Sequence, residues 1–236
     1  MTSLESIDIV ILSGGLGTRL KEEIGDEQKV MAEINGRPFL DFHINWLKNQ
    51  GAERIILCTG YKAGFVEDYY RKNDFGIVID FSREEQPLGT GGAIVNAAEI
   101  INSDPFIVLN GDSFCPVNLY ALLKYHKDKK AVASVVVTSG MKGQDYGQLI
   151  INEDEKVAEF AEKTAQKEGG YVNAGVYCFS HKIFDAIGTK GKSSLENDWF
   201  PKLIDQPFYA FTLNSKFFDI GTPERYKQAQ KFFAED

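Results

Sequence analysis

Apolar residues in the first part of the chain come in short runs, at positions 7–12, 54–59, 77–81, 106–109 and 132–138. Short apolar runs of this kind suit strands covered on both faces, as in a parallel sheet. Between them the spacing turns helical. Residues 38–50 place Phe39, Phe42, Trp46 and Leu47 on one side, and Gly51 follows as a C-cap. Further helices are expected at 63–71, 91–101 and 118–126. The alternation predicts right-handed β-α-β units and a doubly wound α/β sheet between helical layers.

After position 138 the pattern changes. Residues 147–151, 157–162 and 171–179 read as strands joined by short polar links, which predicts an antiparallel portion added to the same sheet. Helices at 182–187 and about 194–204, a strand pair near 208–219 and a terminal helix from Pro223 complete the chain. No Pro/Gly/Ser-rich linker and no internal repeat interrupts it. A single domain over residues 1–236 is expected, in two halves, about 1–138 and about 139–236, the second including the terminal helix.

Composition narrows the function. The chain has 236 residues, 43% of them hydrophobic, and a net charge of −8. An acidic chain does not advertise binding to nucleic acid or to an anionic membrane. Phosphates, if handled, must meet local cations, backbone N–H groups or a metal. Cys58, Cys115 and Cys178 are far apart and form no zinc-type cluster, which suits a reducing cytosol. No secretory signal or 18-residue apolar run is read, so a cytoplasmic protein is expected.

Five stretches carry candidate chemistry. "ILSGGLGTRL" follows the first strand. It lacks the third glycine of the dinucleotide fingerprint and the Gly-Lys pair of a P-loop. What remains is a glycine loop whose N–H groups can face phosphate, with Arg19 as a guanidinium fork. Lys29 supplies a compact positive charge ahead of the helix at Pro38. In "VLNGDSF", Asp112 falls at the carboxyl end of a strand, where doubly wound sheets bind ligands. Asp219 in "FFDIGTPERY" ends another strand and becomes a second oxygen ligand if the two strands are neighbours, while Thr222 and Pro223 read as a helix cap. "QPLGTGGAI" is a second glycine-rich loop opening a helix. The cluster 193–196 reads as a capping box, with Glu196 as its acid. His43, His126 and His181 match no motif and read as helix-surface or core-edge residues.

In this order the stretches resemble the sugar nucleotidyltransferases, the NDP-sugar pyrophosphorylases, over nearly the whole chain. "GGLGTRL", "PLGTGGAI" and "DIGTPE" are most similar to members that transfer a guanylyl group to D-glycero-α-D-manno-heptose 1-phosphate. The resemblance implies the nucleotide-diphospho-sugar transferase fold, with a mostly parallel mixed sheet. It implies an enzyme that condenses a nucleoside triphosphate with a sugar 1-phosphate and releases pyrophosphate, serving polysaccharide assembly. Arg19 and Lys29 would act on the phosphates. Leu12, Ser13, Gly14, Gly15, Gly17 and Thr18 would hold the nucleotide, with Gln86 and Gly91 facing the base. Gly147, Glu162, Lys163 and Asn173 would hold the sugar phosphate, and Asp112 and Asp219 would bind Mg²⁺.

Two departures from the family pattern stand out. Lys29 lacks the flanking prolines the family often has, which predicts a more mobile lysine loop. Gln86 stands where guanylyl-transferring relatives often carry Glu, and its amide suits uracil or thymine as well as guanine. Transfer of a uridylyl or thymidylyl group to a hexose 1-phosphate therefore stays open, as does a non-catalytic nucleotide-sugar sensor on the same fold. Self-association into a homo-oligomer is left open too.

Overall fold

The computed structural model describes residues 4–15, 17–139, 147–161, 170–188, 191–214 and 217–234. The first half alternates as its periodicity predicts. Strand β1 (Ile9–Leu12) leads through α1 (Lys21–Ile24) and the hairpin β2 (Glu33–Ile34) and β3 (Arg37–Pro38) into α2 (Phe39–Asn49). Then come β4 (Arg54–Thr59), α3 (Ala63–Lys72), β5 (Val78–Arg83), α4 (Gly89–Ala97), β6 (Phe106–Asn110), β7 (Ser113–Phe114) and α5 (Leu119–Asp128). The hairpin was not anticipated, although Asn35-Gly36 at its tip is a turn signal; both residues have positive φ, 52° and 79°.

The second half holds β8 (Ala133–Thr138), β9 (Gln148–Ile151), β10 (Val157–Ala161), β11 (Tyr171–Phe179), α6 (Lys182–Ile187), α7 (Phe200–Leu203), β12 (Phe208–Leu213), β13 (Phe218–Asp219) and α8 (Pro223–Phe232). Strands β5, β4, β1 and β6 pair in parallel. β11 then adds antiparallel to β6, and also pairs with β8 and β9, so both halves share one sheet. The expected pairing within 208–219 does not form. β12 lies parallel to β8, whereas β13 pairs antiparallel with β7. Local alternation marks a strand but does not choose its partner.

Period-two alternation sorts the strand residues onto two faces. Ile9, Ile11, Ile55, Leu57, Ile107 and Leu109 pack under α2, α3 and α5. Val10, Ile56, Phe106 and Val108 face α4, α6 and α7. A third apolar cluster joins Phe39, Phe114, Ile220, Tyr226 and Phe233. Helix α2 serves two clusters, with Leu40, Ile44 and Leu47 against the sheet and Phe39 against α8. This widens its buried face beyond the single stripe expected from Phe39, Phe42, Trp46 and Leu47. No helix among the described residues is long and apolar enough to cross a membrane.

The third cluster fixes the terminal helix. Phe233 stacks edge-on against Phe39 and Phe114 at 6.1 and 5.3 Å. Tyr226 donates its hydroxyl to the Glu33 carbonyl. Truncating Phe233 to Ala is expected to lower unfolding stability by about 3 kcal/mol, the range for emptying a buried aromatic site. The measurement is urea unfolding, with a lower midpoint and an unchanged m-value.

Candidate active site

The site lies at the carboxyl ends of β1 and β6. Leu12 pairs in register with Asn110, and Gly111 N–H donates to the Leu12 carbonyl at 2.9 Å. A Cβ on Gly111 would stand 2.7 Å from that oxygen, so the approach requires glycine. The glycine loop after β1 and the Asn-Gly-Asp turn after β6 are thereby held side by side. Ile220 N–H donates to the Asp112 carbonyl at 3.0 Å, and Asp219 pairs with Ser113 across β13 and β7. Asp112 lies in the turn between β6 and β7, and Asp219 sits opposite Ser113 on β7; β13 does not pair with β6 among the described residues, so the two acids are brought together through β7 and not by neighbouring parent strands.

Two pockets open along this edge. The polar one, of about 530 Å³, is lined by Arg19, Lys29, Asp112, Gly147, Asn173, Glu196 and Asp219, among others. The second, of about 350 Å³ and more apolar, is lined by Leu12, Gly14, Gly15, Val30, Glu84 and Thr90, among others. Lys29, Asn110 and Asp112 belong to both.

Lys29 Nζ lies 2.6 Å from Asp112 Oδ2. Burial alone would push the Asp112 carboxyl up; the Lys29 ammonium overrides it and holds the carboxyl below the usual range. Under the turn, His43 is 2% exposed, and its Nε2 lies 2.7 Å from the Ser113 carbonyl. A carbonyl only accepts, so Nε2 carries a proton. Burial pushes the ring pKa down, which keeps it neutral. His43 is thus a core strut beneath the turn that carries Asp112, more deeply placed than a helix-surface residue.

The lysine loop is tethered where its sequence predicts mobility. Gln28 is fully buried and donates its amide to the Ser13 carbonyl. Asp26 accepts from Lys62 and Tyr61 at 2.7 and 2.8 Å. Ser13 is buried, with Oγ donating to the Cys58 carbonyl at 2.7 Å, so it holds the loop from behind instead of facing a pocket. Gly17 has φ of 59°, and a Cβ there would stand 2.8 Å from Lys29 Cβ; its bareness makes room for the lysine. The backbone of Thr18 begins a short 3-10 turn that presents Arg19.

Two base-facing assignments change. Gln86 is exposed and absent from the lining of both pockets; Glu84, two residues earlier, is on the wall of the apolar one. The carboxylate rests against Gly14 and Gly60, where any Cβ would come within 2.7 and 2.3 Å of it. Glu84 accepts from Leu88 N–H at 3.1 Å, and burial pushes its carboxyl up against that bond. Gly91 packs instead of facing a base: a Cβ would lie 2.5 Å from Trp199 Nε1. The N–H groups of Gly91 and Gly92 donate to the Ser193 carbonyl at 2.9 and 3.2 Å, and Thr90 Oγ1 accepts from Leu195 N–H rather than capping its own helix. Pro87, Gly89, Thr90 and Ala93 are the members of this stretch that line the pocket.

Of the residues expected to hold the sugar phosphate, Asn173 lines the polar pocket, where it donates to Tyr177 Oη at 2.8 Å and accepts from Gly175 N–H at 3.0 Å, which fixes its amide in the wall. Glu196 sits in a π-helical turn, Leu195–Trp199, capped by Ser194 rather than Ser193. Glu162 and Lys163 lie outside the described residues. The sequence reading missed Glu84, Asn110 and Arg225. The Glu of "REEQPLG" was visible, but the loop geometry that selects it over Gln86 was not.

The Lys29–Asp112 pair sets a titration test. A carboxyl held below its ordinary 3.8 stabilises the fold above that pH, and the contribution is lost as pH falls through the lowered value. Replacing Lys29 by Met is expected to raise the Asp112 pKa, read by carboxyl-carbon NMR. An unchanged titration would show that Lys29 does not set it.

With the site in view, comparison with known proteins is direct. The family model described as "Nucleotidyl transferase" matches residues 8–236. The chain is 36% identical over 226 residues to the D-glycero-alpha-D-manno-heptose 1-phosphate guanylyltransferase of Aneurinibacillus thermoaerophilus, covering 95% of this chain and 97% of that protein. It is also 36% identical over 217 residues to the enzyme of that name from Campylobacter jejuni, covering 92% and 96%. HddC from Yersinia pseudotuberculosis, solved complexed with GMP-PN, superposes with a TM-score of 0.86 at 39% identity, covering 96% of this chain and 99% of that one. The chain belongs to the nucleotidyl transferase family.

Proposed function

We propose that this chain condenses GTP with D-glycero-α-D-manno-heptose 1-phosphate to give the GDP-sugar and pyrophosphate. The observation that carries the reading is the shared wall: a nucleotide-sized apolar pocket and a polar pocket meet at Lys29, Asn110 and Asp112. Two phosphorylated substrates placed in these pockets bring their phosphates together there. An oxygen of the sugar phosphate attacks the α-phosphorus, a new P–O bond forms, and the bond to the departing pyrophosphate breaks. No protein nucleophile is needed. Lys29 and Arg19 offset charge on the phosphates, and the glycine loop lets the nucleotide approach the backbone.

Guanine is favoured by Glu84. A carboxylate on the wall of the apolar pocket can accept from the N1–H and 2-amino donors of that base, a match that exposed Gln86 does not offer. The heptose rests on the two relatives whose names carry it.

Asp112 and Asp219 fit a divalent cation, Mg²⁺. They are adjacent hard oxygen donors on the pocket wall, and Asn110, whose Oδ1 has no hydrogen-bond partner among the described residues, lines the same space. Bound there, the cation supplies positive charge where two polyanions meet. Three free, buried cysteines suit a reducing compartment, and we place the reaction in the cytosol.

A pyrophosphate-release screen crossing GTP, UTP, dTTP, CTP and ATP with heptose, mannose and glucose 1-phosphates tests the reading. GTP with the heptose phosphate is expected to turn over fastest; no turnover with any pair would overturn it. Asp112→Asn and Asp219→Asn are each expected to lower turnover about 100-fold or more, as loss of a charge-stabilising group at phosphoryl transfer does. Glu84→Gln is expected to reduce kcat/KM for GTP about 10- to 100-fold, since unpairing a base donor costs roughly that much, while UTP is spared.

A further inference from the structure

Arg225 is a cation of the polar pocket, placed there by what looks like helix-capping sequence. Thr222 Oγ1 accepts from Arg225 N–H at 3.3 Å, and Pro223 occupies the first turn of α8. The cap that starts the helix therefore fixes where Arg225 leaves it. Its Nη1 lies 3.3 Å from Asp219 Oδ1, and 20% of its side chain stays exposed. Arg225 lines the polar pocket together with Arg19 and Lys29, and it is absent from the lining of the apolar one.

Gly221 measures how closely these charges converge. A Cβ at that position would lie 2.7 Å from Asp219 Oδ1, 3.7 Å from Lys29 Nζ and 3.8 Å from Arg225 Nη1. Cations from opposite ends of the chain thus border one point, and the missing side chain keeps it open. The same pocket holds the carboxylates of Asp112, Asp219 and Glu196. A sugar 1-phosphate entering it is a dianion facing three acids. Lys29 is engaged with Asp112 at 2.6 Å. A guanidinium fork matches phosphate geometry better than a second ammonium would.

We propose that Arg225 binds the phosphate of the incoming sugar 1-phosphate, leaving Asp219 as that substrate arrives. This rests on the reaction proposed above and names a ligand for its acceptor substrate. Arg225 then acts on the acceptor side only, since the nucleotide pocket does not include it.

The experiment is steady-state kinetics of Arg225→Ala with each substrate varied in turn. KM for the sugar 1-phosphate is expected to rise about 10- to 100-fold, the loss of a charge-assisted hydrogen bond, with KM for GTP nearly unchanged. Millimolar guanidinium ion is expected to restore part of the loss in Arg225→Ala and to leave the wild type unaffected. A mere strut for Asp219 would raise both KM values together and would not respond to guanidinium. Should Arg225→Ala not fold, Arg225→Lys keeps the charge, and a rise of about tenfold for the sugar phosphate alone is expected from loss of the fork. Unchanged KM for the sugar phosphate, or an equal rise for GTP, overturns the proposal. Absence of pyrophosphate release by the wild type overturns the reaction itself, and this inference with it.

Discussion

The donation from Gly111 N–H to the Leu12 carbonyl ties two chain segments that arrive from strands nearly a hundred residues apart in sequence. Everything chemical in the cleft is referenced to it. On one side of the bond the chain runs into the glycine loop and on to Arg19. On the other it turns through Asp112, whose own carbonyl receives Ile220 and so brings Asp219 and α8 into place. Parallel pairing of β1 and β6 alone would leave these loops free to splay beyond the last rung. The extra rung makes the edge of the sheet a rigid mount, which is what a site working by positioning and charge requires.

That mount carries an unusual density of charge for an acidic protein. In the absence of substrate each of the two carboxylates has a basic neighbour, Lys29 for Asp112 and Arg225 for Asp219. The cleft is therefore closely balanced before anything binds. The same basic groups that neutralise these acids are of the kind that suits phosphate, and a carboxylate giving up its basic neighbour needs another positive group in its place.

Much of this was legible in the sequence, and the boundary of legibility is physical. The parallel half was readable because β1, β4 and β6 are covered on both faces and show it as unbroken apolar runs. The glycine loop, Lys29, Asp112 and Asp219 could be singled out because of their order along the chain, since all but Asp219 also read locally as turn or surface residues; the structure brings members of all four to the two pockets. The partners of β12 and β13 were not, because strand pairing is decided by tertiary closure. The base-side residues failed for a related reason: Glu84 and Gln86 differ by two positions in a loop, and only its fold against Gly14 and Gly60 selects between them. Gly91 misled because a glycine needed to admit a neighbouring indole looks, in sequence, like one needed to admit a ligand.

The Ser193 carbonyl, which takes the N–H groups of Gly91 and Gly92, has a wider consequence. It takes two N–H groups of the first turn of α4 into the protein, while Gly89 and Thr90 of the same turn line the apolar pocket. One residue further on, Ser194 begins the turn that carries Glu196 into the other pocket. Lys192 lines the apolar pocket and Ser194 and Glu196 line the polar one, so a single piece of backbone presents a face to each. A change in length here would displace both faces together.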